Sequence, residues 1–322
     1  INITGGTLNL SSESKKGISG HGDVTIDDGD ITITKSTEGI ESKKILTING
    51  GNIDITARDD GLNSGGTGAN QNGGFGGGTN MQGGQQGGRG KIGRQNSDGN
   101  QMTPPEMPSD KNGGQMTPPE ITSDKNGGQM TPPNMQQAEG NEQDSEHHIQ
   151  INGGNIKIVA DADGIDSNGS LFINGGTVTV DAQATGAESA FDTDGAFIVN
   201  GGTIIGVSGS GMDESPNSYS AQNVILAYTT SQISAGDEVK ITDSNGKTIA
   251  EYTAVKGGSK IVYSSDKLKT GEMYTVYASG EEVGSAEIES SITKIGTKSN
   301  SGFGGGHRQK TTDNTIDTSA TN

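Results

Sequence analysis

The residues with the clearest chemical potential are acids that return at one place in a repeating unit. Glu38, Asp60 and Asp163 each stand directly before a glycine, and Glu41, Asn63, Asp166 and Glu188 stand about two residues after one. Spacings of about 22 residues separate most of these marks, apart from one large gap between Gly61 and Gly164. If the repeats stack as neighbouring strands, each column of carboxylates is spaced by roughly 4.8 Å. Like charges set opposite each other destabilise a sheet, so such a column calls for a cation. Hard oxygen donors arriving from successive repeats, with turn carbonyls beside them, suit Ca²⁺, which takes about six to eight oxygen ligands. The expected metal ligands are Asp59, Asp60, Asn63, Asp161, Asp163 and Asp166, with Glu188, Asp192 and Asp194 extending the column. An Asp before a Gly is also ordinary turn chemistry; its recurrence at one position of the repeat favours the metal.

The elements that must position these acids can be read from the same period. Asn-Gly-Gly or a related turn closes each of Leu46-Thr47-Ile48, Ile149-Gln150-Ile151, Leu171-Phe172-Ile173 and Phe197-Ile198-Val199. A second alternating run follows each turn, as in Ile53/Ile55, Ile156/Ile158 and Val178/Val180. Period-2 runs this short are strands. Two strands per lap bury little alone, so the apolar faces must stack on neighbouring laps. The expected fold is all-β, a parallel solenoid of six laps. Its inward residues begin with Ile1/Ile3, and the glycines supply positive φ at the turns. Asn49, Asn152, Asn174 and Asn200 share one turn position and predict a stacked amide ladder.

Five segments follow. Residues 1–64 and 147–221 carry the laps. Residues 65–146 are rich in Gly, Gln, Met and Pro and poor in aliphatic residues, which predicts a disordered insertion. Because Asp60-Gly61 and Asp163-Gly164 have the same lap context, that insertion is expected to leave and rejoin the stack, with lap three resting directly on lap four. Residues 222–295 hold strands and turns without the lap period and predict a small antiparallel unit capping an open sheet edge. Residues 296–322 read as a flexible tail.

Composition narrows the function. The net charge is -18 and concentrated in the lap segments, which argues against nucleic acid, since phosphate contact needs clustered Lys and Arg. There is no Cys, which leaves no thiol metal site. No apolar run is long enough to insert in a membrane. The chain opens inside a lap without Met, so it is expected to be a processed or excised fragment whose export information lies upstream.

Several features together resemble a known family. They are the Asp-Gly-Ile and Ile-x-Gly-Gly laps, the Gly, Gln and Met-Pro insertion, Ile261-Val262-Tyr263-Ser264-Ser265, and Gly271-Glu272-Met273-Tyr274-Thr275-Val276. They are similar to the bacterial carbohydrate-binding domain-containing proteins, which Gram-positive, often anaerobic, bacteria secrete. The resemblance covers residues 1–64 and 147 to about 290. It implies a right-handed parallel β-helix of pectate-lyase-like shape, bound calcium at the Asp-Gly-Ile/Leu positions, and binding of cellulose-like and acidic polysaccharides without cleavage. With no Trp and few aromatic residues to stack on sugar rings, acidic glycans such as pectin or polygalacturonate are the expected ligands, cellulose being secondary. One alternative is a calcium-assisted polysaccharide lyase. In it the metal acidifies the proton α to a uronate carboxylate, and Lys43, Lys44 or Arg58 removes it. Another is a structural or adhesive surface protein that self-associates through its exposed solenoid end.

Overall fold

The computed structural model describes residues 1–65, 146–186, 188–211 and 214–298. These are all-β, and no helix occurs among them. The expected disorder of the insertion and of the tail falls almost wholly outside the described residues.

The lap strands form three columns. The column before the Gly-Gly turn comprises β5 (Ile45–Ile48), β8 (His148–Ile151), β11 (Ser170–Ile173) and β14 (Phe197–Val199). The column after it comprises β6 (Asn52–Ala57), β9 (Asn155–Ala160), β12 (Thr177–Asp181) and β15 (Thr203–Ser208). β1 (Asn2–Leu10) and β3 (Val24–Ile33) run unbroken through the turn and belong to both columns, so the two are joined in one thirteen-stranded sheet. The third column holds β2 (Ile18–Gly20), β4 (Ile40–Ser42), β7 (Leu62–Ser64), β10 (Ile165–Ser167) and β13 (Phe191–Thr193), a five-stranded sheet of parallel pairs.

Within the laps every pairing is parallel, and the register carries equivalent residues onto one another: Leu46 on Ile149, Ile53 on Ile156, Leu62 on Ile165. All three pairs bridge the insertion, so lap three stacks directly on lap four. These inward-facing Leu and Ile are almost wholly buried, which stabilises the stack by roughly 1.5–3 kcal/mol per side chain. The first lap departs from the expected pattern. Ile1 is 54% exposed and Ile3, Leu8 and Leu10 are only partly covered, because β1 has a strand neighbour on one side alone.

The two kinds of lap glycine do different work. Gly154 and Gly176 have φ of 93° and 84°, a region open mainly to glycine. Gly61 and Gly164, in the Asp-Gly pairs, are absent from the positive-φ set, contrary to the sequence expectation. A Cβ on Gly61 would stand 2.5 Å from the Gly164 carbonyl oxygen and 2.2 Å from Ile158 Cγ2. Close stacking of laps therefore excludes a side chain there.

Beyond β15 the chain direction changes. β15 pairs antiparallel with β19 (Gly257–Ser264), β19 antiparallel with β16 (Val224–Ser234), and β16 parallel with β22 (Ile292–Gly296). The large sheet is therefore mixed, and the C-terminal strands are not uniformly antiparallel. β17 (Glu238–Asp243), β18 (Thr248–Thr253), β20 (Met273–Ala278) and β21 (Glu281–Glu287) make a separate four-stranded antiparallel sheet. A second apolar core around Tyr263, Ile225, Ile241 and Val276 lies between these strands. Asp181, fully buried on β12, accepts hydrogen bonds from the Tyr252 hydroxyl and from the N–H groups of Val255 (2.9 Å) and Lys256 (3.1 Å), tying the laps to this unit.

Candidate functional site

The third column and the turn before it hold two rows of acids. In the first, backbone bonds step from lap to lap: Gly39 N–H to Asp60 C=O, Gly61 N–H to Asp163 C=O and Gly164 N–H to Ser189 C=O. The side chains repeat that step. Asp60 Oδ1 accepts the Asp163 N–H at 3.3 Å, and Asp163 Oδ1 accepts the Ser189 N–H. Each aspartate thus caps the equivalent residue of the next lap, a structural reason for its recurrence. Asp60 and Asp163 are vertical neighbours despite the 103 residues between them.

The second row is set by register: Ser19, Glu41, Asn63, Asp166 and Asp192 are successive partners. Its two ends differ electrostatically. Glu41 is bonded by Lys16, Lys43 and Ser19. Burial opposes its ionisation, but those hydrogen bonds outweigh the burial and hold it below the usual Glu range. Towards Asp192 burial outweighs the hydrogen bonds, and the carboxyl pKa values are raised. Asn63 spans the rows, its Nδ2 donating to Asp60 Oδ2 at 3.1 Å and to Asp166 Oδ2 at 3.0 Å.

The dominant influences on the remaining acids are burial and one another. Burial pushes Asp60 up to about 6, with the Asp59 charge adding to the effect and hydrogen bonds from Asn63 and Asp163 opposing it. Burial, then the charges of Asp60, Asp192 and Asp194, push Asp166 up to about 8. Asp163 is raised by burial and by a hydrogen bond shared with Glu188. Asp192 is raised by burial and Asp194. Glu38 is raised by burial; Lys16 Nζ lies 3.0 Å from its Oε2, yet that oxygen lacks a partner in hydrogen-bond geometry.

The sequence-derived ligand set therefore divides. Asp60, Asn63, Asp163, Asp166 and Asp192 come together, with Glu188 beside Asp163 and the exposed Asp194 acting on Asp166 and Asp192 through its charge. Glu188 is not the Asp166 equivalent that Gly186 suggested: that lap is 26 residues long, and Asp166 pairs with Asp192. Asp161 leaves the row, since it is exposed and ion-paired with Lys256. Asp59 is also exposed and lines a shallow hollow with Glu13, Ser14, Thr37 and Arg58. Sequence reading missed Glu214, whose Oε2 accepts from Thr193 Oγ1 at 3.2 Å and whose pKa is raised by burial and Asp192; no period marks its segment. Of the basic candidates, Lys43 is held by Glu41, the Lys44 N–H donates to Ser42 Oγ, and Arg58 lines the Asp59 hollow.

The residues brought together are hard oxygen donors of the type Ca²⁺ takes. They are crowded and half-buried, and burial and neighbouring acids raise their pKa values. Among the described residues no three His, Cys, Asp or Glu side chains are gathered closely enough to hold a metal ion by themselves. The acids form an open strip instead.

The chain is thus an all-β protein with parallel-stacked laps and an acidic strip along one column. Residues 1–102 match the sequence model of a family described as carbohydrate-binding domain-containing protein. No curated protein and no solved structure matches the chain. No helix among the described residues is long and apolar enough to cross a membrane.

Proposed function

We propose that the laps are turns of a right-handed parallel β-helix that serves as a secreted or cell-surface, calcium-dependent binding protein for acidic polysaccharides of the pectin or polygalacturonate type. The lap-on-lap parallel register supports the coil, right-handed crossovers being the strong rule for parallel strands. The family match over residues 1–102 supports a glycan ligand. The observation that carries the rest is the strip itself: Asp60, Asp163, Asp166 and Asp192 are crowded by one another and by burial, with raised pKa values.

These four side chains and the Asn63 amide would hold Ca²⁺, which when bound supplies positive charge and open coordination positions for sugar carboxylates. The chain's own residues set the stage. Asp60 and Asp163 are fixed by the backbone N–H groups they cap. Asn63 holds Asp60 and Asp166 at a set separation, and the stacked strands give the strip its spacing. Binding without cleavage is the favoured reading, since Lys43 is engaged by Glu41 and is not a free base.

Calorimetric titration of the metal-stripped protein with CaCl₂ tests the reading. Saturable binding that weakens at least tenfold in Asp166→Asn supports it. No heat of binding, or the same affinity in Asp60→Asn, Asp166→Asn and the parent, would refute it.

A further inference from the structure

Over the laps, many polar side chains engage one another. The turn amides form a ladder in which Asn200 donates to Asn174 (2.8 Å), Asn174 to Asn152 (2.9 Å) and Asn152 to Asn49 (2.8 Å), and Lys16, Lys35 and Lys43 are ion-paired with glutamates. One place in the C-terminal unit differs. Lys247, Lys267 and Lys269 line an open cavity of about 460 Å³, beside the hydroxyls of Ser244 and Thr248 and the Asn245 amide. Among the described residues neither Lys247 nor Lys269 is ion-paired. Lys267 Nζ donates to the Ile249 carbonyl at 2.7 Å, which leaves two of its three N–H donors.

Two braced loops carry these groups. In the turn between β17 and β18, Asp243 Oδ1 accepts the N–H groups of Asn245 (2.9 Å) and Lys247 (3.0 Å), and the Asp243 C=O accepts from Gly246 N–H (3.0 Å). In the loop before β20, the hydroxyl of buried Tyr274 donates to the Lys267 C=O and accepts the Lys269 N–H, each at 2.9 Å. Leu268 between them is buried in the second core, so it anchors the loop and leaves Lys267 and Lys269 exposed. The acids of the wall are Asp243, one of whose oxygens is spent on the turn, and Glu272. Three cations against two acids reverse the balance of a chain of net charge -18. The cations are all lysines. A planar guanidinium fork matches a carboxylate, whereas separate ammonium groups are point charges on flexible stems; with hydroxyl and amide donors beside them they suit the several oxygens of a tetrahedral phosphate. The volume lies in the range of small-molecule sites, about 300–1,000 Å³, which leaves room for an organic group attached to that phosphate.

We propose that Lys247, Lys267 and Lys269, with Ser244, Asn245 and Thr248, form an anion site that takes the phosphate group of a phosphate-bearing ligand without the help of a metal. The site lies outside residues 1–102, which match the family model, and uses no residue of the acidic strip, so it goes beyond the proposed function and does not rest on it.

The test is calorimetric titration of the full chain, stripped of metal on a chelating resin, with sodium pyrophosphate, with sodium polyphosphate and, as a carboxylate control, with citrate. Saturable binding of a phosphate probe is expected. Lys247→Gln and Lys269→Gln should each weaken it about 2- to 10-fold, as loss of one hydrogen bond implies. Both side chains are exposed, so the variants should melt with the parent. Lys294→Gln, exposed on β22 and outside the cavity, should bind as the parent does. Binding of pyrophosphate supports the site with a small phosphate compound as its ligand, and binding of polyphosphate alone supports it with a phosphate polymer. No saturable binding of either probe, citrate binding as tight as pyrophosphate, unchanged affinity in both cavity variants, or an equal loss in Lys294→Gln would overturn it. Titration of Lys269→Gln with CaCl₂ should match the parent, so failure of this site leaves the calcium reading where it stood.

Discussion

Replacing Asp166 by Asn should stabilise the calcium-free protein at alkaline pH and remove much of its response to pH. Asp166 sits between Asn63 and Asp192, and burial and neighbouring acids raise it to about 8. An unfolded Asp titrates near 3.9. A carboxylate whose folded pKa is raised binds more protons in the native state than in the unfolded one. Stability is therefore fullest below about pH 4 for this group and is lost as pH rises towards 8. Each pH unit of difference corresponds to about 1.4 kcal/mol, but the side chain is partly open to solvent and salt screens its neighbours. A working magnitude is about 1–3 kcal/mol. For a chain of this size 1 kcal/mol moves the melting temperature by about 2–4 °C, so in EDTA the parent should melt roughly 2–12 °C lower at pH 8.5 than at pH 5. Asp166→Asn should flatten that difference by at least half, and CaCl₂ should restore the parent at pH 8.5 while leaving the variant nearly unmoved. Differential scanning calorimetry across pH measures this directly. A parent melting temperature independent of pH, or a variant destabilised equally at every pH, would refute the view that burial and neighbouring acids raise the pKa values of the strip.

Three further outcomes follow from the packing. Ile158→Ala, which empties a fully buried position beneath Gly61, should cost about 2–5 kcal/mol, read as a lower denaturant midpoint. Asp181→Ala orphans the Tyr252 hydroxyl and the N–H groups of Val255 and Lys256. It should cost about 2–4 kcal/mol, since buried unsatisfied donors carry the full desolvation penalty, and hydrogen exchange should rise selectively in 252–256. Incubation with polygalacturonate and CaCl₂ should release no unsaturated product above a Lys43→Ala/Lys44→Ala control; steady product absorbance above that control would establish a lyase.

Much of this architecture was legible because it depends on local period. Val24/Ile26, Leu46/Ile48 and Ile149/Ile151 alternate with polar neighbours, and an inward face follows from side-chain direction in a strand. The matching contexts of Asp60-Gly61 and Asp163-Gly164 place lap three on lap four across the insertion, and the Asn ladder follows from one shared turn position. What was not legible rests on non-local geometry. Gly186, with φ of 104°, imitates a lap turn inside an enlarged lap, so Glu188 was aligned where Asp192 stands. The partner that removes Asp161, Lys256, lies 95 residues away, on the bend between β18 and β19. The glycines of the Asp-Gly pairs are required by the approach of the next lap, which no single-lap pattern reveals. The recurrence of aspartate, read as metal chemistry, also serves to cap backbone N–H groups, so the period alone could not separate the two roles.

The most direct trial of the proposed function is retention on immobilised polygalacturonate at pH 7.5, compared between CaCl₂ and EDTA for the parent chain. Binding that is saturable with calcium and falls at least tenfold on chelation is the expected result. Equal retention in both buffers, or none in either, would contradict a calcium-bridged acidic glycan.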